Sequence, residues 1–171
     1  ARPRPVIRLV IMNVPHPKVF QRELRRWRQL KKSWYVYFFQ LPRVPERFMG
    51  GDDAAGIRRA FHGMAVDKSR FGPEVLDVYA AAAQRPGALT AMINYYRANL
   101  KILEETSPPI DVPTLMLWGE EDTALDIKLT EGYGPHVQDF TLVRFPNVSH
   151  WVQQEAPEKV NAILSDWLTR S

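Results

Sequence analysis

The sequence predicts an α/β fold in which a few parallel strands carry a large helical insertion. Apolar runs rich in β-branched and aromatic residues occur at three places: Val6–Asn13, Thr114–Trp118 and Phe140–Phe145. Such runs are typical of buried parallel strands. The first connection, Val14–Pro113, is far longer than the roughly one dozen residues that a parallel crossover needs. It therefore contains an inserted unit, and its apolar residues recur mainly at helical spacing.

Composition places the chain among ordinary globular proteins. Of its 171 residues, 45% are hydrophobic and 25% are charged, which argues against a disordered chain. No apolar run approaches the roughly 20 residues of a membrane-spanning helix. Cysteine is absent, which excludes disulfides, thiolate metal sites and a cysteine nucleophile. This lack of cysteine is compatible with a reducing compartment, and we predict a cytoplasmic location.

The insertion is predicted to consist mainly of helices. In order, it contains a helix over Lys18–Leu30, an aromatic segment over Ser33–Leu41 that must be packed, short helical pieces over Glu46–Ala65 broken by glycines, and helices over Pro73–Gln84 and Ala88–Leu103. Proline at the first turn supports the helix that begins at Pro73.

The chain after the insertion is predicted to alternate between strands and helices. A proline-rich linker, Ser107–Pro113, leads back to the second strand. A short helix over Asp126–Gly132 joins the second strand to the third. A final helix over Pro157–Arg170 has one apolar face and completes the pattern.

Basic residues are concentrated in the first predicted helix. The net charge is +4, and seven cations lie in one short segment: Lys18, Arg22, Arg25, Arg26, Arg28, Lys31 and Lys32. A basic cluster of this kind invites a nucleic-acid interpretation. The segment has no phosphate-binding glycine loop and alternates with an apolar stripe, so we interpret it as a solvated helix surface and expect no nucleic-acid partner.

An acid and a histidine follow two successive strands. Ligands of open α/β sheets bind beyond the carboxyl ends of the strands, which here are Gly119–Thr123 and Pro146–Trp151. Asp122 and His150 in these loops are candidates for an acid–base pair, in which the acid orients the imidazole and the imidazole activates water or a nucleophile. Two alternatives remain open: Asp122 only caps the following turn, or His150 is a surface-loop histidine.

No nucleophile accompanies this pair in the sequence. A Gly-x-Ser-x-Gly elbow is absent, and no serine lies in a strand-to-helix elbow. The stretch Gly51–Ala54 is the nearest approach to a carboxylate elbow, but no strand precedes it.

Five motifs in the right order carry a family resemblance. They are Val10–Pro17, Ser33–Pro42, Gln84–Leu89 together with Asn94–Arg97, Leu117–Asp122, and Ser149–Trp151. With these motifs the chain resembles the C-terminal part of an epoxide hydrolase of the α/β-hydrolase superfamily, and the matching pieces run nearly from end to end.

The resemblance implies a partial α/β-hydrolase core with an inserted helical cap. Residues 1–14 would form a core strand, residues 15–110 the cap, and residues 111–171 the rest of the core with the acid and histidine loops. In this family the nucleophilic aspartate lies shortly upstream of the strand that begins here at Val6. We therefore expect a nucleophile outside this chain, an inactive chain when alone, and a longer protein or a second chain that supplies the missing strands.

The resemblance also implies roles for two tyrosines. Tyr35 and Tyr96 would be the cap tyrosines that hydrogen-bond the epoxide oxygen, while His150 and Asp122 would hydrolyse the aspartyl ester to a vicinal diol, a reaction of detoxification. The resemblance implies no metal and no organic cofactor. Tyr96 lies on the apolar stripe of its helix, where the alternative is a core tyrosine. Tyr37 remains a rival to Tyr35.

Aromatic residues near these positions are candidates for the substrate pocket: Trp34, Phe39 and Trp151. A haloalkane or haloacid dehalogenase is the alternative enzyme, because it shares the carboxylate nucleophile; it would hold halide with N–H donors such as Trp34 or His62. The alternative outside enzymes is an inactive fragment that keeps the cap and acts only by binding.

Overall fold

The fold is built on a three-stranded parallel sheet. A computed structural model describes residues 6–99 and 108–169. Within them, the strands β1 (Leu9–Met12), β2 (Thr114–Gly119) and β3 (Phe140–Phe145) lie in the order β1-β2-β3. All pairings are parallel, so the carboxyl ends of the strands meet at one edge. The predicted parallel sheet is confirmed.

Helices account for most of the remaining chain. The insertion contains α1 (Pro17–Leu24), α2 (Trp27–Lys32), α3 (Trp34–Phe38), α4 (Val44–Met64), α5 (Pro73–Gln84) and α6 (Ala88–Asn99); α7 (Val152–Glu155) and α8 (Pro157–Thr169) follow β3. Single 3-10 turns occur at Lys68–Phe71 and Ile127–Thr130. The predicted end of the helix at Leu103, the start of the linker at Ser107, and Arg170 lie outside the described residues.

The central strand carries the core. All six residues of β2 are buried, and alternate side chains enter two apolar clusters. Met116 and Trp118 face the cluster that contains Val19 of α1. Leu115 and Leu117 face the cluster on the α7–α8 side. β1 and β3 are only partly buried, apart from the buried Phe145. In the described sheet, each of them pairs on one side only.

β1 is also shorter than predicted. Val6 and Ile7 are largely exposed, and the strand begins at Leu9. Asn13 ends it with a left-handed φ of 44° and is buried. An asparagine adopts this conformation more readily than an apolar residue, which makes it a suitable terminator.

The predicted helix Lys18–Leu30 is wrong as a single element. The chain leaves helical geometry at Arg26, whose φ of −97° and ψ of 136° are extended, and the second helix then begins at Trp27. Both helices keep the apolar spacing, so periodicity could not reveal the break. The carboxylate of Glu23 is buried at this point and pairs with the guanidinium groups of Arg22 and Arg26.

α4 contains one break rather than a break at each glycine. Backbone 51–54 is non-helical, and Asp52, Asp53 and Ala54 have left-handed φ values of 50°, 56° and 55°. A left-handed L-residue costs roughly 1–2 kcal/mol. Arg58 offsets part of this cost, because its guanidinium donates to the carbonyl and the carboxylate of Asp53. We call 51–54 the left-handed turn.

Gly56 allows the two arms of α4 to approach each other beyond that turn. A Cβ at this position would lie 2.8 Å from the carbonyl oxygen of Phe48 and would also overlap the backbone of Met49. The second arm then packs on α5 through a small cluster of its own: Ala54, Ile57, Ala80 and Ala83. The insertion therefore has a core separate from that of the sheet.

α1 nevertheless packs on the sheet-side cluster through Val19. The division of the chain at residues 14/15 and 110/111 remains a prediction. Across the described residues, no helix combines the length and apolar character needed to cross a membrane. The same residues contain no cluster of three His, Asp or Glu side chains that could hold a metal ion.

Candidate active site

The two loops predicted to carry the acid and the base are joined through their backbones. Glu120 N donates to Phe145 O, and Glu121 N donates to Val148 O, each at 3.0 Å. Gly119 lies where the loops meet, and a Cβ there would overlap the carbonyl oxygens of Val148 and Ser149. A residue without a side chain is therefore needed at Gly119 for the loops to meet.

Asp122 uses each carboxylate oxygen for a different purpose. Oδ1 accepts from the backbone N–H groups of Ala124 and Leu125 at 2.8 and 2.9 Å. Oδ2 accepts from Asn13 Nδ2 and from His150 Nδ1, both at 2.7 Å. The carboxylate therefore both caps the following turn and faces the imidazole, so the two sequence interpretations of Asp122 describe two halves of one side chain.

These contacts also set the pKa of Asp122. Burial acts to raise it, but the hydrogen bond and charge of His150, followed by the hydrogen bonds from Asn13 and Leu125, outweigh burial and hold the pKa below its ordinary value. The carboxylate therefore stays ionised at neutral pH. Its neighbours Glu120 and Glu121 are exposed, so only Asp122 of the three faces the histidine.

His150 is partly open to the site. Its side chain is 25% exposed, and its ring meets the ring of Trp151 edge to face at 4.8 Å. Because Nδ1–H donates to Asp122, the other nitrogen, Nε2, is the one left with a lone pair. An imidazole in this tautomer can take a proton from water. We name this pair of loops, with Asp122 and His150, the acid–base corner.

Asn13 is a residue that the sequence reasoning missed. Besides donating to Asp122, it accepts a hydrogen bond from Gly119 N at 2.9 Å through its side-chain oxygen. The amide thus connects the end of β1 to the acid loop. The signal available in the sequence was an asparagine at the end of a predicted apolar strand.

Two cations of α2 also contact the acid loop and the turn that follows it. Lys32 Nζ donates to the carbonyl oxygens of Asp122 and Leu125 at 2.5 and 3.3 Å, and Arg28 pairs with the buried Asp126 at 3.0 Å. The interpretation of the cluster as a solvated surface is therefore wrong for Lys32, whereas Arg28 remains 75% exposed while it pairs with Asp126. The predicted lack of a nucleic-acid partner remains a prediction.

The two predicted tyrosines meet in the insertion. Tyr35 of α3 and Tyr96 of α6 have ring centroids 5.7 Å apart and almost perpendicular planes. Phe39 contacts both rings, at 5.9 and 4.8 Å. Tyr37 and Tyr95 are 57% and 64% exposed. The structure thus brings Tyr35 rather than Tyr37 to Tyr96. We name Tyr35, Phe39 and Tyr96 the tyrosine layer.

Burial and neighbouring groups keep both phenols protonated. The pKa of Tyr35 is raised by burial, then by Tyr96 and by the Asp122 carboxylate. The pKa of Tyr96 is raised by burial and by Tyr95. Lys32, three residues before Tyr35, donates to the backbone carbonyl of Asp122, so the start of α3 lies near the acid–base corner. Neutral phenols are hydrogen-bond donors.

Arg97 holds together the segments that carry the tyrosine layer. Its guanidinium donates to the carbonyl oxygens of Phe39 and Leu41 at 2.9 and 2.8 Å and pairs with Glu46 at 2.6 Å. One side chain therefore holds α6 to the segment after α3 and to the start of α4, next to Tyr96.

The predicted substrate-contacting aromatics are separated. Phe39 belongs to the tyrosine layer, and Trp151 lies beside His150 and stacks on Phe61 of α4 at 4.4 Å. Trp34 is 62% exposed and contacts Phe38 instead. Two of the three predicted aromatics therefore join the site region, and Trp34 lies outside it.

Comparison with known proteins agrees with the fold and with the predicted resemblance. The chain is 35% identical over 172 residues to human epoxide hydrolase 4 and 34% identical over 169 residues to the Bacillus subtilis protein named AB hydrolase superfamily protein YfhM. These alignments cover 97% and 98% of this chain but 48% and 59% of the relatives. The chain thus spans about half the length of the curated relatives it matches.

Solved structures give the same result. A Bacillus megaterium epoxide hydrolase in complex with an inhibitor superposes with a TM-score of 0.85 at 26% identity, covering 96% of this chain and 61% of that one. No protein-family model matches the sequence. The predicted class, a partial α/β-hydrolase core with a helical cap, is confirmed, and so is the resemblance to epoxide hydrolases of that superfamily.

Proposed function

We propose that this chain forms the cap and part of the core of an enzyme that converts epoxides to vicinal diols. The premise is that the chain is homologous to epoxide hydrolases of the α/β-hydrolase superfamily. The observation that carries the proposal is the hydrogen-bonded pair Asp122–His150 at the sheet edge, together with two half-buried, neutral phenols, Tyr35 and Tyr96, that meet in the insertion. An epoxide needs both a proton donor for its oxygen and a base that activates water.

The first proposed step opens the epoxide. A carboxylate oxygen, supplied by an aspartate outside this chain, attacks one ring carbon, and the bond from that carbon to the epoxide oxygen breaks. The oxygen takes a proton from Tyr35 or Tyr96 as it leaves. Phenols with raised pKa values remain protonated donors at neutral pH, and a positioned proton donor accelerates such a step by roughly 10²–10⁴-fold.

The second proposed step releases the diol. His150 Nε2 takes a proton from water, and the hydroxide attacks the carbonyl carbon of the ester. The bond from that carbon to the substrate oxygen breaks. The two protons of the water, one held by His150 and one by the new carboxylic acid, pass to that oxygen and to the tyrosinate, so that the diol leaves and the aspartate, His150 and the tyrosine return to their starting states. Asp122 holds the imidazole in the required tautomer and stabilises its charged form.

The remaining parts of the proposal concern the parent enzyme. β1 pairs only with β2 in the described sheet, and the curated relatives are about twice as long as this chain. We propose that strands from a longer protein or a second chain complete the sheet and bring the nucleophile, that the chain alone does not hydrolyse epoxides, and that the enzyme acts in the cytoplasm.

The dehalogenase alternative gains no support from the two N–H donors predicted for it. It needs N–H donors at the site, and the two candidates, Trp34 and His62, are both exposed. Paired phenols suit an oxygen leaving group better than a halide, because the oxygen must also be protonated.

Conversion of styrene oxide by the full-length enzyme tests the proposal. We expect Tyr35→Phe and Tyr96→Phe each to lower kcat/KM by about 10²-fold, while the exposed neighbours provide matched controls, Tyr37→Phe and Tyr95→Phe, that stay within about twofold of wild type. Full epoxide turnover by both test variants would contradict the tyrosine assignment. Faster turnover of a 1-haloalkane than of styrene oxide would favour the dehalogenase alternative.

A further inference from the structure

Glu155 is a buried carboxylate that the proposed reaction does not use. It lies at the end of α7 and is 6% exposed. Oε1 accepts from Ser149 N at 3.0 Å and from the Ser149 hydroxyl. Oε2 accepts from the backbone N–H groups of Val66 and Asp67, both at 2.9 Å. Four donors therefore converge on one carboxylate.

These donors come from two different regions. Ser149 directly precedes His150, whereas Val66 and Asp67 directly follow α4 in the insertion. A buried carboxylate is costly unless it is hydrogen-bonded. Glu155 is therefore accommodated only when the histidine loop and this insertion segment are both in place.

Other contacts repeat the same junction. Phe61 near the end of α4 stacks on Trp151 at 4.4 Å, and Gln154 Nε2 donates to the carbonyl oxygen of Arg70 at 3.1 Å. At the surface, Arg70 pairs with Glu158 at 3.2 Å. Among these contacts, those of Glu155 join backbone N–H groups of the histidine loop to backbone N–H groups of the insertion.

We propose that Glu155 is a positioning residue that locks the His150 loop to the insertion through Ser149, Val66 and Asp67, and so sets the imidazole against the ester that it hydrolyses. This inference rests on the proposed epoxide hydrolysis. The tyrosines stand on α3 and α6, away from this junction, so the lock acts on the second step of the reaction rather than on ring opening.

Single-turnover kinetics on the full-length enzyme separate the two steps. With Glu155→Gln, ester hydrolysis is expected to slow by about 10–100-fold, while ester formation stays within about threefold of wild type, so that the covalent ester accumulates and is detected by intact-protein mass spectrometry. Glu158→Gln is the matched control, because it removes an exposed carboxylate from the same junction; both steps stay unchanged there.

A purely structural role gives a different result. It would lower the active fraction and reduce both steps in the same proportion, which would overturn the proposal, as would a Glu155→Gln variant that behaves like Glu158→Gln. If Glu155→Gln does not fold, Ser149→Ala replaces it. This variant removes one of the four donors, and we expect ester hydrolysis alone to slow by about threefold to tenfold; equal slowing of both steps, or none, would overturn the proposal.

Amide hydrogen exchange provides an arm that does not depend on turnover. In Glu155→Gln, exchange at Val66, Asp67 and Ser149 is expected to accelerate at least about tenfold, with no change in Glu158→Gln. Unchanged exchange overturns the lock. Accelerated exchange in an enzyme that hydrolyses no epoxide retains the lock and rejects only the proposed function.

Discussion

The acid–base corner and the tyrosine layer are held by different kinds of contact. In the corner, Asp122 accepts four hydrogen bonds from the backbone, Asn13 and His150. In the layer, the side-chain contacts of Tyr35 and Tyr96 are ring contacts between 4.8 and 5.9 Å. Hydrogen bonds fix direction and register, whereas ring packing fixes spacing and leaves the hydroxyl orientation to the site.

This difference predicts unequal tolerance to change. A single altered atom in the corner removes a directional bond and leaves a buried partner unpaired, which is expensive. A comparable change in the layer alters apolar packing that neighbours can partly refill. The variants below probe this contrast, beginning with the largest expected effect.

Replacing the acid in the corner has the largest expected effect. Asp122→Asn keeps an oxygen for the cap but presents an amide to the imidazole, so the wrong tautomer is favoured; turnover of the full-length enzyme should fall by roughly 10³–10⁴-fold. Steady-state kinetics with styrene oxide measure this, and Glu121→Gln, an exposed neighbour in the same loop, should match wild type. A loss below tenfold in Asp122→Asn would mean that another group orients His150.

Adding one carbon atom where the two loops meet ranks second. In Gly119→Ala the new methyl group overlaps the carbonyl oxygens of Val148 and Ser149, so the loops must separate; we expect a loss of about 3 kcal/mol in the free energy of unfolding. Urea denaturation measures it. Gly63→Ala is the control, because it lies in α4 with open space around the new methyl group, and it should gain about 0.5–1 kcal/mol. Equal stability of the two variants would contradict the close approach.

The support of the tyrosine layer ranks third. Arg97→Met removes the bonds to Phe39 O and Leu41 O and leaves the half-buried Glu46 unpaired; we expect a loss of about 1–2 kcal/mol. Urea denaturation again provides the measurement. Lys128→Met breaks an exposed pair and should leave the free energy of unfolding unchanged. If the two losses were equal, the layer would not depend on Arg97.

Acidification has the smallest expected effect and tests the corner alone. The folded-state pKa of Asp122 lies below its ordinary value, so its contribution to stability is complete above the unfolded pKa of about 3.9 and is lost as the pH falls through the folded pKa. The free energy of unfolding, measured from pH 6 to pH 3, should therefore decline more steeply for wild type than for Asp122→Asn. Parallel curves would show that the carboxylate gains nothing from its partners.

The sequence predicted the corner better than the layer. Asp122 and His150 follow from a local rule, since each comes directly after a strand that ends at one edge of the sheet. The pairing of Tyr35 with Tyr96 joins two helices far apart in the chain, and the family resemblance alone indicated it.

Supporting side chains escaped prediction for a related reason. Asn13 bonds a residue 109 positions away, and Glu155 bonds Val66 across 89 positions; no local pattern carries such pairings. The break at Arg26 was missed because the apolar spacing continues through it. At the break, the buried Glu23 carboxylate pairs with Arg22 and Arg26.

The left-handed turn in α4 decouples two helical phases. In a continuous helix each residue rotates the next by about 100°, so one inserted residue in the first arm would rotate everything that follows it. Glu46 on the first arm meets Arg97 beside the tyrosine layer, and the second arm ends beside the Glu155 junction. Because residues 51–54 leave the right-handed helix, the rotation of one arm about its axis does not determine the rotation of the other. An insertion or deletion in one arm is therefore expected to rotate the residues of that arm only and to leave the orientation of the other arm unchanged.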